Sequence, residues 1–191
     1  LLEKAKKQGL DSGILKLIIT RGEGGRGYRY EKGMKPNIIF LHFESKKISS
    51  RIYLDGVKVI FCSQCFTENT HLSGFKHLNR LDSIITRAEW DDDGIFEGLV
   101  LDKDKNIVEG TMTNIFFIKD NVLFTPKICS SGIKGIMREI VIDKMISLFE
   151  GIRIKKLSKS QLLKADSIFL TNSIVGLVPV KQVNKLKFNI D

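Results

Sequence analysis

The chain has 191 residues, enough for one sizeable domain or for one domain and part of a second. Apolar residues make up 42% and charged residues 28% of it, as in an ordinary soluble protein, and no apolar run is long enough to predict a membrane span. The formal net charge of +9 favours an anionic partner, such as a phosphorylated or carboxylated small molecule. The basic residues are scattered and do not alternate with aromatic residues, which disfavours nucleic-acid binding.

The cysteine content is small and odd, with three residues, and indicates a reducing compartment. We therefore expect a cytoplasmic protein. Cys62 and Cys65 have CxxC spacing, but no second such pair completes a zinc site, and two small residues at a strand end explain them better. No signal peptide is recognisable, and residues 1–8 resemble a helix tail ended by Gly9, so we expect the chain to begin inside a fold.

The first part of the chain alternates strand-like runs with glycine-rich or polar segments. β-branched residues predict strands at 14–20, 37–43 and 57–62. Segment 21–28 contains four glycines, which allow the backbone to approach a ligand, together with arginines that can bind a carboxylate through two hydrogen bonds. A flexible loop without a ligand explains this segment equally well. Polar residues 66–73 lack periodicity and predict a linker between two domains, residues 1–65 and 74–191.

An irregular segment that contains Lys76 leads into a predicted helix. The apolar residues that follow share one helix face: Leu78, Leu81, Ile84, Ile85 and Ala88. A lysine at such a junction can be buried, and burial favours the neutral amine that attacks carbonyl groups. For any single lysine of this chain, a surface position is the simpler explanation. The functional interpretation therefore depends on residues downstream.

Short strands are predicted next, at 96–101, 107–109, 114–118 and 122–125, with turns at 102–106 and 120–121. The first turn resembles the start of a calcium loop, but it lacks the required glycine and glutamate, so we expect no metal site. Gly135 then precedes a predicted helix whose first N–H groups are free to bind phosphate. A strand at 167–170 runs into Thr171-Asn172-Ser173, three small hydrogen-bonding residues that can hold an anion or cap a turn.

The order and spacing of these features resemble the fold-type IV pyridoxal-phosphate (PLP) enzymes over residues 15–180. Lys76 is followed 33 residues later by Glu109, then by the glycine-led helix start at 135–137 and by the Thr-Asn-Ser sequence at 171–173. That family includes branched-chain aminotransferases, D-amino-acid aminotransferases and aminodeoxychorismate lyases. The resemblance implies an α+β fold like that of D-amino-acid aminotransferase, with two domains and an incomplete N-terminal small domain in this chain.

Segments 21–28, 74–81 and 135–138 look most like the aminodeoxychorismate lyases of that family. The resemblance implies conversion of 4-amino-4-deoxychorismate to 4-aminobenzoate and pyruvate in folate synthesis. A branched-chain or D-amino-acid aminotransferase on the same fold is the alternative, because it would share the cofactor site. A non-catalytic basic binding protein is a third interpretation, which only the net charge supports.

The resemblance also implies roles for individual residues of the cofactor site. Lys76 would hold PLP covalently and transfer protons, and Glu109 would keep the pyridine nitrogen protonated, since a nearby opposite charge favours the charged form. The backbone N–H groups of Ile136 and Met137 and the hydroxyl of Thr171 would bind the cofactor phosphate.

The substrate carboxylate would bind Arg26 and Tyr28, again by resemblance. Asn79 and Arg80 either position the Lys76 loop or serve as a helix cap and a solvated charge. The family resemblance further implies a homodimer with its active site near the subunit interface. It also places an arginine that binds the phosphate ahead of residue 1.

Overall fold

The computed structural model describes residues 13–44 and 47–190 and divides the chain into two compact units, Leu1–Ile48 and Ser49–Asp191. In the first unit, strands β1 (Ile14–Ile19) and β2 (Ile38–Phe43) form an antiparallel pair. The strands predicted at 14–20 and 37–43 are thereby confirmed. The expected helix tail at 1–8 lies outside the described residues.

The second unit is built around one sheet of ten strands. Its strands are β3 (Val57–Cys65), β4 (Ile95–Leu101), β5 (Asn106–Gly110), β6 (Asn114–Lys119), β7 (Val122–Pro126), β8 (Gly151–Lys155), β9 (Leu157–Ser158), β10 (Ser167–Asn172), β11 (Gly176–Val183) and β12 (Leu186–Lys187). Their order is β8-β7-β6-β10-β11-β3-β4-β5-β9, with β12 on β11. Three pairs are parallel, β11–β3, β3–β4 and β7–β8, and the other neighbours are antiparallel.

Short helices accompany this sheet, namely α1 (Arg51–Leu54), α2 (Leu81–Arg87), α3 (Ile136–Met145), which continues into a 3₁₀ turn at Ile146–Leu148, and α4 (Lys159–Leu162). The helix predicted after Lys76 is α2. Its apolar face is exposed: Leu81 is 60%, Ile84 65% and Ile85 50% accessible. None of the helices in the described part of the chain is long and apolar enough to cross a membrane.

The two compact units divide between residues 48 and 49, ahead of the expected linker at 66–73. The reason is that β3 pairs with both β4 and β11 and so belongs to the large sheet. The expected linker is itself tied to the second unit, because the N–H of Asn69 donates to the Ser130 carbonyl at 2.7 Å and that of Gly74 to the Gly132 carbonyl at 2.9 Å.

The residue types in two tight turns explain the conformations of these turns. Asp120 and Asn121 have φ angles of 49° and 57°, the left-handed conformation that a two-residue hairpin turn needs, and they join β6 to β7. In the β4–β5 turn, Oδ1 of Asp102 accepts the N–H of Asn106 at 2.8 Å. The acidic pattern that resembled a calcium loop therefore closes a turn, and the described residues contain no cluster of ligands that could hold a metal ion.

A compact apolar cluster beside β4 depends on a close approach at Gly98. This cluster includes Cys62 and Trp90, both buried. A Cβ atom on Gly98 would lie 2.6 Å from the Trp90 ring and would also collide with the Cys62 sulfur. Burial raises the pKa of Cys62 to about 12, so its thiol stays protonated. These observations favour a packing role for Cys62 over a redox or metal role.

We expect Gly98→Ala to lower the free energy of unfolding by about 1–3 kcal/mol, the usual cost of overpacking. Urea denaturation measures the change. Gly25→Ala is the control, because a Cβ there would meet nothing within 4 Å. Equal stabilities for the two variants would contradict the close packing of Trp90 against Gly98.

Candidate functional site

A cavity of about 570 Å³ lies within the second unit, where the loop after β5 and the end of β10 meet the start of α3. Its lining includes Lys76, Glu109, Ile136, Met137 and Thr171. The fold therefore brings together every residue that the sequence placed in the cofactor site, although these residues are spread over about half of the chain.

Glu109 supplies a buried carboxyl group to the cavity wall. It lies on β5 and is only 4% accessible. Its Oε2 accepts hydrogen bonds from the Asn114 side-chain amide at 3.0 Å and from the N–H of Ile133 at 2.9 Å. Burial raises the pKa of Glu109 to about 8, and the Ile133 hydrogen bond and the charges of Arg80 and Lys76 offset only part of this effect. This carboxyl group is suited to a cationic partner that enters the cavity.

The start of α3 and the Thr171 hydroxyl bring several free hydrogen-bonding groups to one wall of the cavity. Gly135 precedes the helix in an extended conformation, with φ −68° and ψ 142°, and no side chain caps the helix start. The N–H groups of Ile136 and Met137, in the first turn, are therefore free to bind a ligand. Thr171 is fully buried, and its Oγ1 finds no hydrogen-bond partner among the described residues. A phosphate group would satisfy these donors together.

Asn114 links the buried acid to the helix start, and sequence reasoning missed it. Its amide nitrogen donates to Glu109 and, at 2.8 Å, to the Ile133 carbonyl. A Cβ on Gly135 would collide with Oδ1 of Asn114. Only glycine at 135 therefore lets the helix start approach the amide that holds Glu109. The only sequence feature that could have indicated a role for Asn114 is a polar residue at the start of an apolar strand.

Lys76 is exposed rather than buried, because its segment lies at the cavity wall and not in the core. The segment is attached through Gly74, which forms a bridge with Ile133 and whose carbonyl accepts the N–H of Lys134 at 3.1 Å. The Lys76 amine is therefore accessible from the cavity, as covalent attachment of a ligand requires.

A second buried carboxylate, Glu97, shapes the loop at the cavity edge. It lies on β4 and is fully buried. Its oxygens accept hydrogen bonds from the N–H groups of Thr111 (3.0 Å) and Met112 (3.1 Å) and from the hydroxyls of Thr111 (2.7 Å) and Thr113 (2.9 Å). The sequence signal that could have found it is a single charge inside an apolar strand, since a buried charge needs partners.

The two residues predicted to bind substrate lie in the first unit. Arg26 and Tyr28 are both exposed, in the loop between β1 and β2. The structure describes this unit separately from the cavity, so their role in substrate binding stays a prediction.

Comparison with known proteins places these observations in one family. Residues 1–183 match the family described as amino-transferase class IV. The aminodeoxychorismate lyase of Vibrio harveyi is 30% identical over 95% of this chain and 67% of its own length. The crystal structure of 4-amino-4-deoxychorismate lyase from Pseudomonas aeruginosa is 33% identical, with a TM-score of 0.92 over all of this chain and 73% of that one.

The branched-chain amino acid aminotransferase of Escherichia coli is also similar in structure. It is 26% identical, with a TM-score of 0.83 over 98% of this chain and 62% of that one. The chain thus spans roughly two thirds of the length of these proteins.

The cofactor of this family fits the cavity. Class IV aminotransferases and aminodeoxychorismate lyases depend on PLP. The unpartnered Thr171 hydroxyl and the uncapped helix start suit its phosphate, and the buried Glu109 carboxyl suits its pyridine nitrogen. The α+β fold and its similarity to the lyase structure agree with these features. Since the family model also matches residues 1–183, the chain belongs to the class IV aminotransferases, a family of PLP-dependent enzymes.

Proposed function

We propose that this protein is a 4-amino-4-deoxychorismate lyase that forms 4-aminobenzoate and pyruvate for folate synthesis. The observation that carries the proposal is the TM-score of 0.92 to the Pseudomonas lyase over the whole chain, against 0.83 for the Escherichia coli aminotransferase. The cavity with its lysine, buried acid and free hydrogen-bonding groups supports PLP chemistry in either case.

In this proposal, each residue of the cavity has a separate role in binding the cofactor or in catalysis. When bound, PLP supplies a sink for the electron pair released at the substrate. The Lys76 amine holds the cofactor and takes the proton from the amine-bearing ring carbon of the substrate. The Glu109 carboxylate stabilises a protonated pyridine nitrogen. The N–H groups of Ile136 and Met137 and the Thr171 hydroxyl bind the phosphate.

We further propose that Arg26 and Tyr28 bind a carboxylate of the substrate. Both lie among glycines, which let the loop come close to a ligand, and both are exposed. The planar guanidinium of Arg26 can donate two parallel hydrogen bonds to one carboxylate. The proposed substrate carries two carboxylates, and Arg26 would bind one of them.

The proposed protein is a cytoplasmic homodimer. The exposed apolar side chains of α2, with Leu78 just before it at 62% accessible, form a surface suited to a second copy of the chain. The cysteines, all described and all free, agree with a reducing compartment.

An aminotransferase on the same fold is the second candidate, because the Escherichia coli enzyme shares this architecture. The purified protein with PLP should release pyruvate and 4-aminobenzoate from 4-amino-4-deoxychorismate. A coupled pyruvate assay measures this release, and Lys76→Ala is the inactive control. Formation of keto acids from branched-chain or D-amino acids, without pyruvate release from the chorismate derivative, would contradict the lyase proposal.

Replacing the buried acid by an isosteric neutral residue, Glu109→Gln, tests its charge. Because the pKa of Glu109 is raised from 4.5 to about 8 in the fold, its stabilising contribution is full below about pH 4.5 and is lost as the pH rises through 8. Without PLP, the variant should therefore gain stability relative to the parent over this range, by up to about 1.4 kcal/mol per pH unit. Urea denaturation at several pH values measures the difference.

The same variant should retain PLP but lose most of its turnover, because no charge then stabilises the pyridinium. Cofactor absorbance and product release measure these two properties on one sample. A stability difference that does not change with pH would show that the pKa of Glu109 is not raised in the fold. Unchanged turnover would show that its charge is not needed to stabilise the pyridinium.

Arg26→Lys keeps the positive charge but loses the paired hydrogen bonds. A hydrogen bond to a charged group contributes roughly 1.5–3 kcal/mol, so kcat/KM for the chorismate derivative should fall about ten- to a hundred-fold with PLP binding intact. Pyruvate release and the cofactor absorbance spectrum measure the two effects. Arg29→Lys, an exposed arginine of the same loop, is the control. Parent values for both properties of Arg26→Lys would leave Arg26 as a solvated charge.

A further inference from the structure

Arg80 connects the backbone on both sides of Lys76. Its Nε donates to the carbonyl oxygen of His77 at 3.2 Å, and its Nη2 donates to that of Phe75 at 3.4 Å. These carbonyls belong to the two neighbours of Lys76 in the chain. Nη2 also lies 3.2 Å from Nε2 of His77, which can accept this hydrogen bond when Nδ1 carries the ring proton. One planar guanidinium thus contacts three acceptors around the lysine.

The Lys76 segment has little regular structure of its own to hold it. It runs from the bridge at Gly74 to the start of α2 at Leu81, without a helix or strand between them. The N–H of Phe75 donates to the Leu72 carbonyl at 3.2 Å, but this bond precedes the lysine. The position of the Lys76 backbone therefore depends on side-chain contacts, and those of Arg80 are placed to supply them.

We propose that Arg80 is a positioning residue, which fixes segment 75–77 so that the Lys76 amine points into the cofactor cavity. This inference rests on the proposed role of Lys76. A lysine at position 80 could not replace the arginine, because its single ammonium group lacks the rigid fork that reaches both carbonyls. The charge of Arg80 also favours the ionised form of Glu109, so a variant that keeps the charge separates geometry from electrostatics.

Arg87 offers a matched control on the same helix. Its Nη1 donates to the carbonyl oxygen of Trp90 at 2.6 Å, and its guanidinium carbon lies 4.4 Å from the centroid of the Trp90 ring. It therefore makes the same kind of contact as Arg80, a guanidinium on a backbone carbonyl, but at the opposite end of α2. If substitution of either arginine only destabilises the fold, both variants should be affected. If Arg80 positions Lys76, only the variant at position 80 should lose the reaction of Lys76 with PLP.

The test compares Arg80→Lys with Arg87→Lys in the purified protein. PLP is added, the covalent product is trapped with borohydride at set times, and mass spectrometry locates the label. We expect the rate of labelling at Lys76 to fall about ten-fold in Arg80→Lys and to stay at the parent value in Arg87→Lys. Hydrogen exchange without PLP provides a second measurement: amides 75–78 should exchange faster in Arg80→Lys only, at an unchanged thermal midpoint.

Parent rates of labelling and exchange in Arg80→Lys would overturn the positioning role. Equal slowing in both variants, with lower thermal midpoints, would also overturn it, because it would indicate general destabilisation. If PLP labels a different lysine in the unsubstituted protein, both the assignment of Lys76 and the role of Arg80 are overturned. Labelling at Lys76 that is slowed only in Arg80→Lys supports the inference even if the protein proves to be an aminotransferase.

Discussion

The buried carboxyl group of Glu109 is the constraint on which the cavity depends. A carboxylate away from water is costly unless donors or a cation compensate it, and here two hydrogen bonds do so only in part. Asn114 provides one of them, and its other side packs against the glycine that begins α3. Asn114 therefore connects the acid to the start of α3, and a side chain at position 135 would displace the amide that holds Glu109.

Glu97 and Glu109, two of the buried acids of the second unit, differ in the number of hydrogen bonds that their carboxyl groups accept. The Glu97 carboxylate accepts hydrogen bonds from two backbone N–H groups and two hydroxyls in the loop at 111–113, and another from Gly98, so it has no capacity left for a ligand. It fixes the loop that edges the cavity. Glu109 has fewer partners and a raised pKa, which leaves it suited to a ligand that carries positive charge.

The sequence predicted what depends on local pattern. Apolar runs predicted eight of the strands, and Asp120-Asn121 predicted a turn that the structure confirms. The spacing of Lys76 and Glu109 suggested the cofactor site through family resemblance. The domain division was not predictable, because it depends on the distant partners of β3. Asn114 and the carbonyl contacts of Arg80 were missed for the same reason: each depends on which segments meet in space.

Because its pKa is raised to about 8, Glu109 should be protonated at neutral pH without PLP and should become the charged partner of the pyridine nitrogen when PLP binds. Infrared difference spectra, recorded below the pKa of about 8 with and without PLP, test it most directly. One band of a protonated carboxyl group should disappear when PLP binds, and Glu109→Gln should show no such change. A protonated carboxyl band that persists with PLP bound, or an identical difference spectrum in Glu109→Gln, would contradict it.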